Sequence, residues 1–132
     1  MENPGCYSLA ALALTSALSA SVQTAIVDLG GMTAVTLEAR FGYGSGGTSC
    51  SALVQTTLDG SNWIDIASFD FTTASATKHC NLEGLLSKAV TSYAALSANS
   101  VYDGVLGDRL RCVVTSVGLF SNTTLSVRAS VR

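Results

Sequence analysis

Apolar and polar residues alternate along several stretches of the chain, and this is the pattern of half-buried β-strands. In the clearest stretch Val35, Leu37 and Phe41 have one parity, whereas Thr36 and Glu38 have the other. One apolar face and one polar face are typical of an antiparallel sheet that lies against a core on one side. This part of the chain is therefore predicted to form an antiparallel strand.

A hairpin is predicted at residues 50–71, where two apolar segments flank an Asp-Gly turn at residues 59–62. Asp-Gly favours a tight turn, because glycine adopts positive φ without a Cβ clash. On the second arm Trp63 and Asp65 share a parity with Phe71. The other parity carries two isoleucines. Apolar groups are thus expected on both faces, and the second arm is predicted to be a central strand.

A second hairpin is predicted near the end of the chain, with a turn at residues 118–123 between two alternating segments. In all, the pattern predicts seven or eight strands and little helix. An antiparallel β-sandwich, jelly-roll or Ig-like, closes such a set, because the inner faces of its two sheets supply one core. The residues predicted to be buried are Val35, Leu37, Phe41, Leu125 and Val127.

Two stretches lack a clear period. Residues 1–22 are expected to form an irregular N-terminal arm, and residues 23–132 a sandwich domain with a long irregular insertion at about 82–108. The arm is not expected to be a signal peptide, because its first seven residues include Glu2 and no Lys or Arg. Its apolar run is also too short to span a bilayer. Removal of residues 1–20 is expected to leave the sandwich folded.

The surface is predicted to be poor in charge. Charged residues make up 12% of the chain and hydrophobic residues 48%, whereas an ordinary soluble domain has about 25% charged residues. Such a surface costs little to desolvate, which suits a protein covered by neighbouring subunits. The net charge is −2 and the basic residues are scattered, so no nucleic-acid partner is expected. Arg109 and Arg111 are expected on an exposed strand face.

No catalytic or metal-binding motif is evident. The four cysteines include no Cys-x-x-Cys pair. His79 and Cys80 are adjacent, so on a strand they would point to opposite faces. A single histidine in a Ser-rich chain gives no sign of a nucleophile triad. We therefore expect no enzyme activity, no cofactor and no metal. The cysteines are expected to be free thiols, as in a reducing cytoplasm.

Two side chains of the first hairpin have more than one interpretation. Trp63 could anchor the core, or it could stack on a sugar ring if it is exposed. Asp65 could be exposed, or it could be a buried carboxylate held by hydrogen bonds.

Four segments follow the Ala-, Ser- and Thr-rich arm in a recognisable order. They are residues 26–31 (IVDLGG), 54–67 (VQTTLDGSNWIDIA), 107–111 (GDRLR) and 123–128 (TTLSVR). Taken together, they resemble small structural proteins of tailed bacteriophages, several of which resemble capsid decoration or cement proteins.

The resemblance implies a β-sandwich that oligomerises, commonly as a homotrimer, and clips neighbouring subunits of the major capsid protein together. It implies a place on the outer surface of the virion capsid after synthesis in the host bacterial cytoplasm, with no membrane or nucleic-acid partner. The alternatives are a neck or tail protein of the virion, and a carbohydrate-binding β-sandwich module. The residues expected to contact a partner are Tyr7, Leu9, Leu12, Leu14, Leu86, Tyr93, Leu96 and Tyr102.

Overall fold

The protein is an antiparallel β-sandwich in a computed structural model that describes residues 4–132. The strands are β1 (Gly5–Leu14), β2 (Leu18–Val22), β3 (Val27–Asp28), β4 (Ala34–Gly42), β5 (Ser45–Gly46), β6 (Ser49–Thr57), β7 (Trp63–Phe71), β8 (Ala76–Glu83), β9 (Arg109–Val117), β10 (Phe120–Ser121) and β11 (Thr123–Val131). Three of the eleven have two residues each, and such short strands are not visible as an alternation in the sequence. The strand count of eleven thus exceeds the predicted seven or eight, and two of the longer strands, β1 and β2, lie in the stretch predicted to be irregular.

The strands form two main layers. One sheet, called sheet A, has the order β1-β11-β4-β8. The other, sheet B, has the order β2-β9-β6-β7, with β3 also beside β9. A small third sheet pairs β10 with β5. All the pairings are antiparallel.

The core lies between sheets A and B. The burial predicted for the five residues of β4 and β11 is confirmed, because Val35, Leu37, Phe41, Leu125 and Val127 are all buried. The Phe41 ring in sheet A stacks on the Phe71 ring in sheet B with centroids 5.0 Å apart. Phe120 meets the edge of Phe41 at 5.8 Å. These aromatic contacts join the two layers at one end of the sandwich.

The N-terminal segment corrects the prediction of an irregular arm. Gly5–Leu14 pairs along β11 as an edge of sheet A, and Leu18–Val22 crosses to sheet B and pairs there with β9, on the same side of the sandwich. Leu9 and Leu14 are buried in the core. Removal of residues 1–20 would take all of β1 and three residues of β2, so the structure gives no support to the expectation that the sandwich stays folded without them. Residues 1–3 of the predicted arm lie outside the described residues.

The predicted first hairpin is present as β6 and β7. Its connection is a five-residue loop, residues 58–62, because Thr57 pairs with Trp63. Gly60 has a φ of +84°, so the predicted need for positive φ is confirmed. The Asp59 carboxylate accepts hydrogen bonds from the main-chain N–H groups of Asn62 and Ser61, and these bonds hold the pKa of Asp59 well below its ordinary value. Asp59 therefore closes this loop.

A β-bulge in β7 overturns the predicted faces of this hairpin. Val54 pairs with Ala67, but the next residue, Gln55, pairs with Asp65, so Ile66 is an extra residue. The bulge turns Trp63 and Asp65 away from the face shared by the phenylalanines of the strand. β7 is also an edge strand of sheet B, not a central strand as predicted. Its free edge is covered by a connecting segment instead of by a further strand.

Candidate contact surface

The connection between β8 and β9, residues 84–108, follows the free edge of β7. Only one isolated bridge, between Ala67 and Val101, interrupts its irregular course. Ser68 N–H donates to the Ser100 carbonyl at 2.9 Å, and Tyr102 N–H donates to the Ile66 carbonyl at 2.9 Å. These bonds satisfy main-chain groups that an edge strand would otherwise leave to solvent. Residues 99–102 therefore cap the edge of sheet B.

A buried carboxylate anchors the same segment on the outer face of sheet B. Asp65 is only 3% exposed. Its Oδ1 accepts a hydrogen bond from Gln55 Nε2 at 2.8 Å, and its Oδ2 accepts one from Leu96 N–H at 3.3 Å. Gln55 Oε1 in turn accepts a bond from Arg111 Nε at 2.9 Å. Of the two interpretations of Asp65, the buried and hydrogen-bonded one is confirmed.

Trp63 lies in this cluster and not in the core. The Arg111 guanidinium lies 4.2 Å from the centre of its ring, which is cation–π distance. Burial lowers the pKa of Arg111. Arg109 forms an ion pair with Asp108 at 3.0 Å and has 40% of its side chain exposed. Arg111 is thus partly covered by its neighbours, whereas Arg109 lies on the exposed strand face that the sequence predicted.

Beyond these anchors the segment exposes apolar side chains. Leu85, Leu86, Val90 and Tyr93 are all exposed, and Val90 has its full surface in solvent. Within residues 4–132 no main-chain hydrogen bond joins residues 85–95 to a strand. Tyr93 is held at its hydroxyl end, where burial and the Asp65 carboxylate raise its pKa. We call residues 85–95 the apolar segment.

The predicted contact residues fall into three groups. Leu86 and Tyr93 are exposed, as a contact surface requires, and four more are half-buried: Tyr7, Leu12, Leu96 and Tyr102. Leu9 and Leu14 are buried in the core, so they are not available to a partner. Leu85 and Val90 are also exposed apolar residues, but they were not among the predicted contact residues. Their position among polar residues in a stretch without period is the signal that could have identified them.

A groove runs between the edges of β7 and β8, where the sandwich is open. Its volume is about 450 Å³, and Phe69, Cys80 and Val101 are among its lining residues. Lys78 Nζ closes one end by donating hydrogen bonds to the Asp70 carbonyl and to Asn99 Oδ1. The Lys78 ammonium group is therefore hydrogen-bonded to neutral oxygens of the protein and does not point toward a ligand site.

The described residues bring together no group that could hold a metal ion. No three His, Cys, Asp or Glu residues of that part of the chain are placed to hold a metal ion. His79 contacts Glu38 at 3.0 Å on the outer face of sheet A. All four cysteines are free, and burial raises the pKa of Cys50 to about 11 and that of Cys112 to about 12. The thiols of Cys50 and Cys112 are correspondingly unreactive.

Residues 4–132 contain no helix that is long and apolar enough to cross a bilayer. The chain was also compared with known proteins. No protein-family model, curated protein or solved structure matches it. Four large hydrophobic side chains are exposed in the apolar segment at residues 85–95.

Proposed function

We propose that the protein is a structural component of a tailed-phage virion, a decoration or cement protein on the outer surface of the capsid. Its partner is the major capsid protein, and it joins neighbouring subunits of the capsid lattice. The proposal draws on the order of the four segments that resemble phage structural proteins. It also draws on the low content of charged residues, 12% of the chain.

The observation that carries the proposal is the exposure of the apolar segment. Of the ten large hydrophobic residues exposed in the described chain, four lie at residues 85–95. An isolated exposed apolar residue needs no explanation, but a contiguous group indicates a surface that another protein covers. Burial of one Val or Leu side chain contributes about 1.5–3 kcal/mol. A few such contacts suffice to offset the cost of ordering the segment.

Attachment to the assembled lattice explains how this surface stabilises a capsid. A segment that spans a boundary between subunits binds the assembled form more tightly than free subunits. Ligands that bind one state of an equilibrium stabilise that state by mass action. The sandwich then serves as the body from which the apolar segment reaches its partner, while Asp65 and residues 99–102 hold the chain that follows the C-terminal end of that segment.

The carbohydrate-binding alternative is less well supported. Such a module needs an aromatic ring with a free face. Arg111 lies over one face of Trp63, and the side chain as a whole is half-buried. A neck or tail protein would use the same apolar contacts, so only the location in the virion separates that alternative from a capsid protein.

Binding to capsids tests the proposal. Capsids that lack the protein are mixed with the wild-type chain, with Val90→Asp, or with the control Thr77→Asp, which adds the same charge at an exposed position of β8. We expect the wild type and Thr77→Asp to sediment with capsids and to raise their resistance to heat. Val90→Asp should weaken attachment about tenfold or more, since it places a charge in an apolar contact.

Two results would count against the proposal. Capsids that resist heat equally well with and without the protein would remove the cement role. Density for the protein only along the tail in electron micrographs of virions would favour the neck or tail alternative. The homotrimer that the resemblance implies is part of the proposal and is checked by native mass spectrometry.

A further inference from the structure

The two main sheets have four edges, and three of them are protected against pairing with another chain. Unpaired edge strands attract other strands, and proteins block them with charges, irregularities or covering segments. Residues 99–102 cover β7. β8 carries Lys78, His79 and Glu83, and the N–H of Glu83 is occupied by the Asp103 carboxylate.

The edge of sheet B formed by β2 and β3 is short and irregular. β2 has five residues, a register shift before Ser21 and a positive φ of 46° at Ala20. β3 has two residues and includes Asp28. A flat strand from another molecule cannot pair along such an edge over any useful length.

The fourth edge, β1, is irregular only between Ser8 and Ala10, and among the described residues its later part, residues 10–14, has no such protection. Its ten residues, GCYSLAALAL, include no charge and no proline. Its only pairing partner within residues 4–132 is β11. The side chains of Ala11 and Ala13 are small and exposed. Another strand can therefore approach this edge without a steric or electrostatic penalty.

The hydrogen-bonding pattern shows which main-chain groups of β1 point outward. Arg132 and Ala34 exchange two main-chain hydrogen bonds. Because bonded pairs alternate along an antiparallel ladder, Leu125 directs its main-chain groups to β1 instead of β4. Leu125 pairs with Leu12, so Leu12 bonds to β11. Its neighbours Ala11 and Ala13 then direct their N–H and C=O groups away from the protein.

We propose that β1 is a self-association edge, at which β1 of a second copy pairs antiparallel and continues sheet A across a two-fold axis. An axis through Leu12 places Ala11 opposite Ala13 of the second copy, and each such pair exchanges two hydrogen bonds. The two edges are the same strand, so both are neutral and their outward groups match in register. A second copy therefore satisfies the outward groups of Ala11 and Ala13, and the contact is isologous because both copies use the same residues.

Of the proposed function, this inference uses only the association of copies of the protein with one another. It does not depend on attachment to a capsid. A two-fold contact gives a dimer. If the homotrimer also forms, the contact joins two trimers into a hexamer, because a three-fold interface uses different surfaces and leaves β1 free. The dimer and the hexamer both contain an even number of chains. The number of chains per particle is thus the readout.

Native mass spectrometry over a concentration series tests the pairing on the full chain. We expect even-numbered species for the wild type. Ala11→Pro removes an outward N–H and no bond within sheet A, since proline is tolerated at such edge positions. It should raise the dissociation constant of the two-fold contact about tenfold or more and leave odd-numbered species. The matched control is His79→Pro on the other edge of sheet A, which should keep the even-numbered species.

Circular dichroism and thermal melting verify that each variant is folded. If Ala11→Pro does not fold, Ala11→Lys replaces it, because it changes no backbone geometry and brings two like charges within about 7–8 Å across the axis. Only monomers or trimers for the wild type at every concentration would overturn the pairing, and so would even-numbered species in the folded Ala11 variants. Capsid binding by Ala11→Pro is measured separately, so loss of the two-fold contact and failure of the proposed function are distinguished.

Discussion

The N-terminal strand and the connection between β8 and β9 have similar compositions and opposite roles. Both are rich in Ala, Ser and Leu and poor in charge, and both are predicted to be irregular contact segments. Residues 5–14 pair along the full length of β11 and bury two leucines. Residues 85–95 pair with no strand and leave their large apolar side chains in solvent.

The difference teaches that a free partner edge decides the structure of such segments. β11 would leave one side of its main chain unsatisfied without β1, so the N-terminal segment gains hydrogen bonds and core contacts together. The connection meets the edge of β7 only at residues 99–102. The rest of it has no edge to pair with, and its hydrophobic side chains remain available to another protein.

The largest expected difference between the two segments is in amide hydrogen exchange. Amides of residues 5–14 that bond to β11 should exchange slowly, because they open only with the sheet. Amides of residues 85–95 should exchange near the rate of an unfolded chain. Mass spectrometry of peptides from the two segments measures this. Equally fast exchange in both would mean that β1 is not stably paired and would restore the interpretation as a flexible arm.

A matched pair of leucine truncations tests the same comparison through stability. Leu14→Ala should lower the free energy of unfolding by about 2–5 kcal/mol, because it leaves a cavity in the core. Leu85 is 71% exposed, so Leu85→Ala should change it by less than about 0.5 kcal/mol. Urea denaturation gives both values. A loss for Leu14→Ala as small as that for Leu85→Ala would contradict the burial of β1.

The smallest expected effect concerns the anchor of the connection. Asp65→Ala leaves Gln55 Nε2 and Leu96 N–H without their acceptor, which should cost about 1–3 kcal/mol of stability. It should also speed hydrogen exchange at residues 91–102. Asp65→Asn keeps one oxygen acceptor and serves as the control, with a smaller loss. Unchanged exchange in Asp65→Ala would show that residues 99–102 hold the segment without the carboxylate.

The strands with regular alternation could be predicted from the sequence because their side chains repeat every two residues. Val35, Leu37 and Phe41 are buried as that period predicts. The period fails where a bulge adds a residue. Ile66 shifts the pairing of β7, so the positions of Trp63 and Asp65 could not be obtained from parity. β1 has a similar irregularity between Ser8 and Ala10.

The candidate contact surface could be predicted only in part. The absence of a period at residues 84–108 correctly marked a stretch without regular strands of its own, and Leu86 and Tyr93 are exposed. The network of Asp65, Gln55 and Arg111 joins residues of three different strands. Such a network depends on register between strands far apart in the chain, and no local pattern contains that information.

The sequence by itself determined the all-β class, the main core positions and the scarcity of charge, because alternation and composition are local properties of the chain. The tertiary structure decided which apolar segments became core and which became surface. The reason is that main-chain hydrogen bonds and buried area depend on where free strand edges lie. Only the assembled sheets reveal that β11 had an edge for the N-terminal segment, and that the apolar segment at residues 85–95 had none.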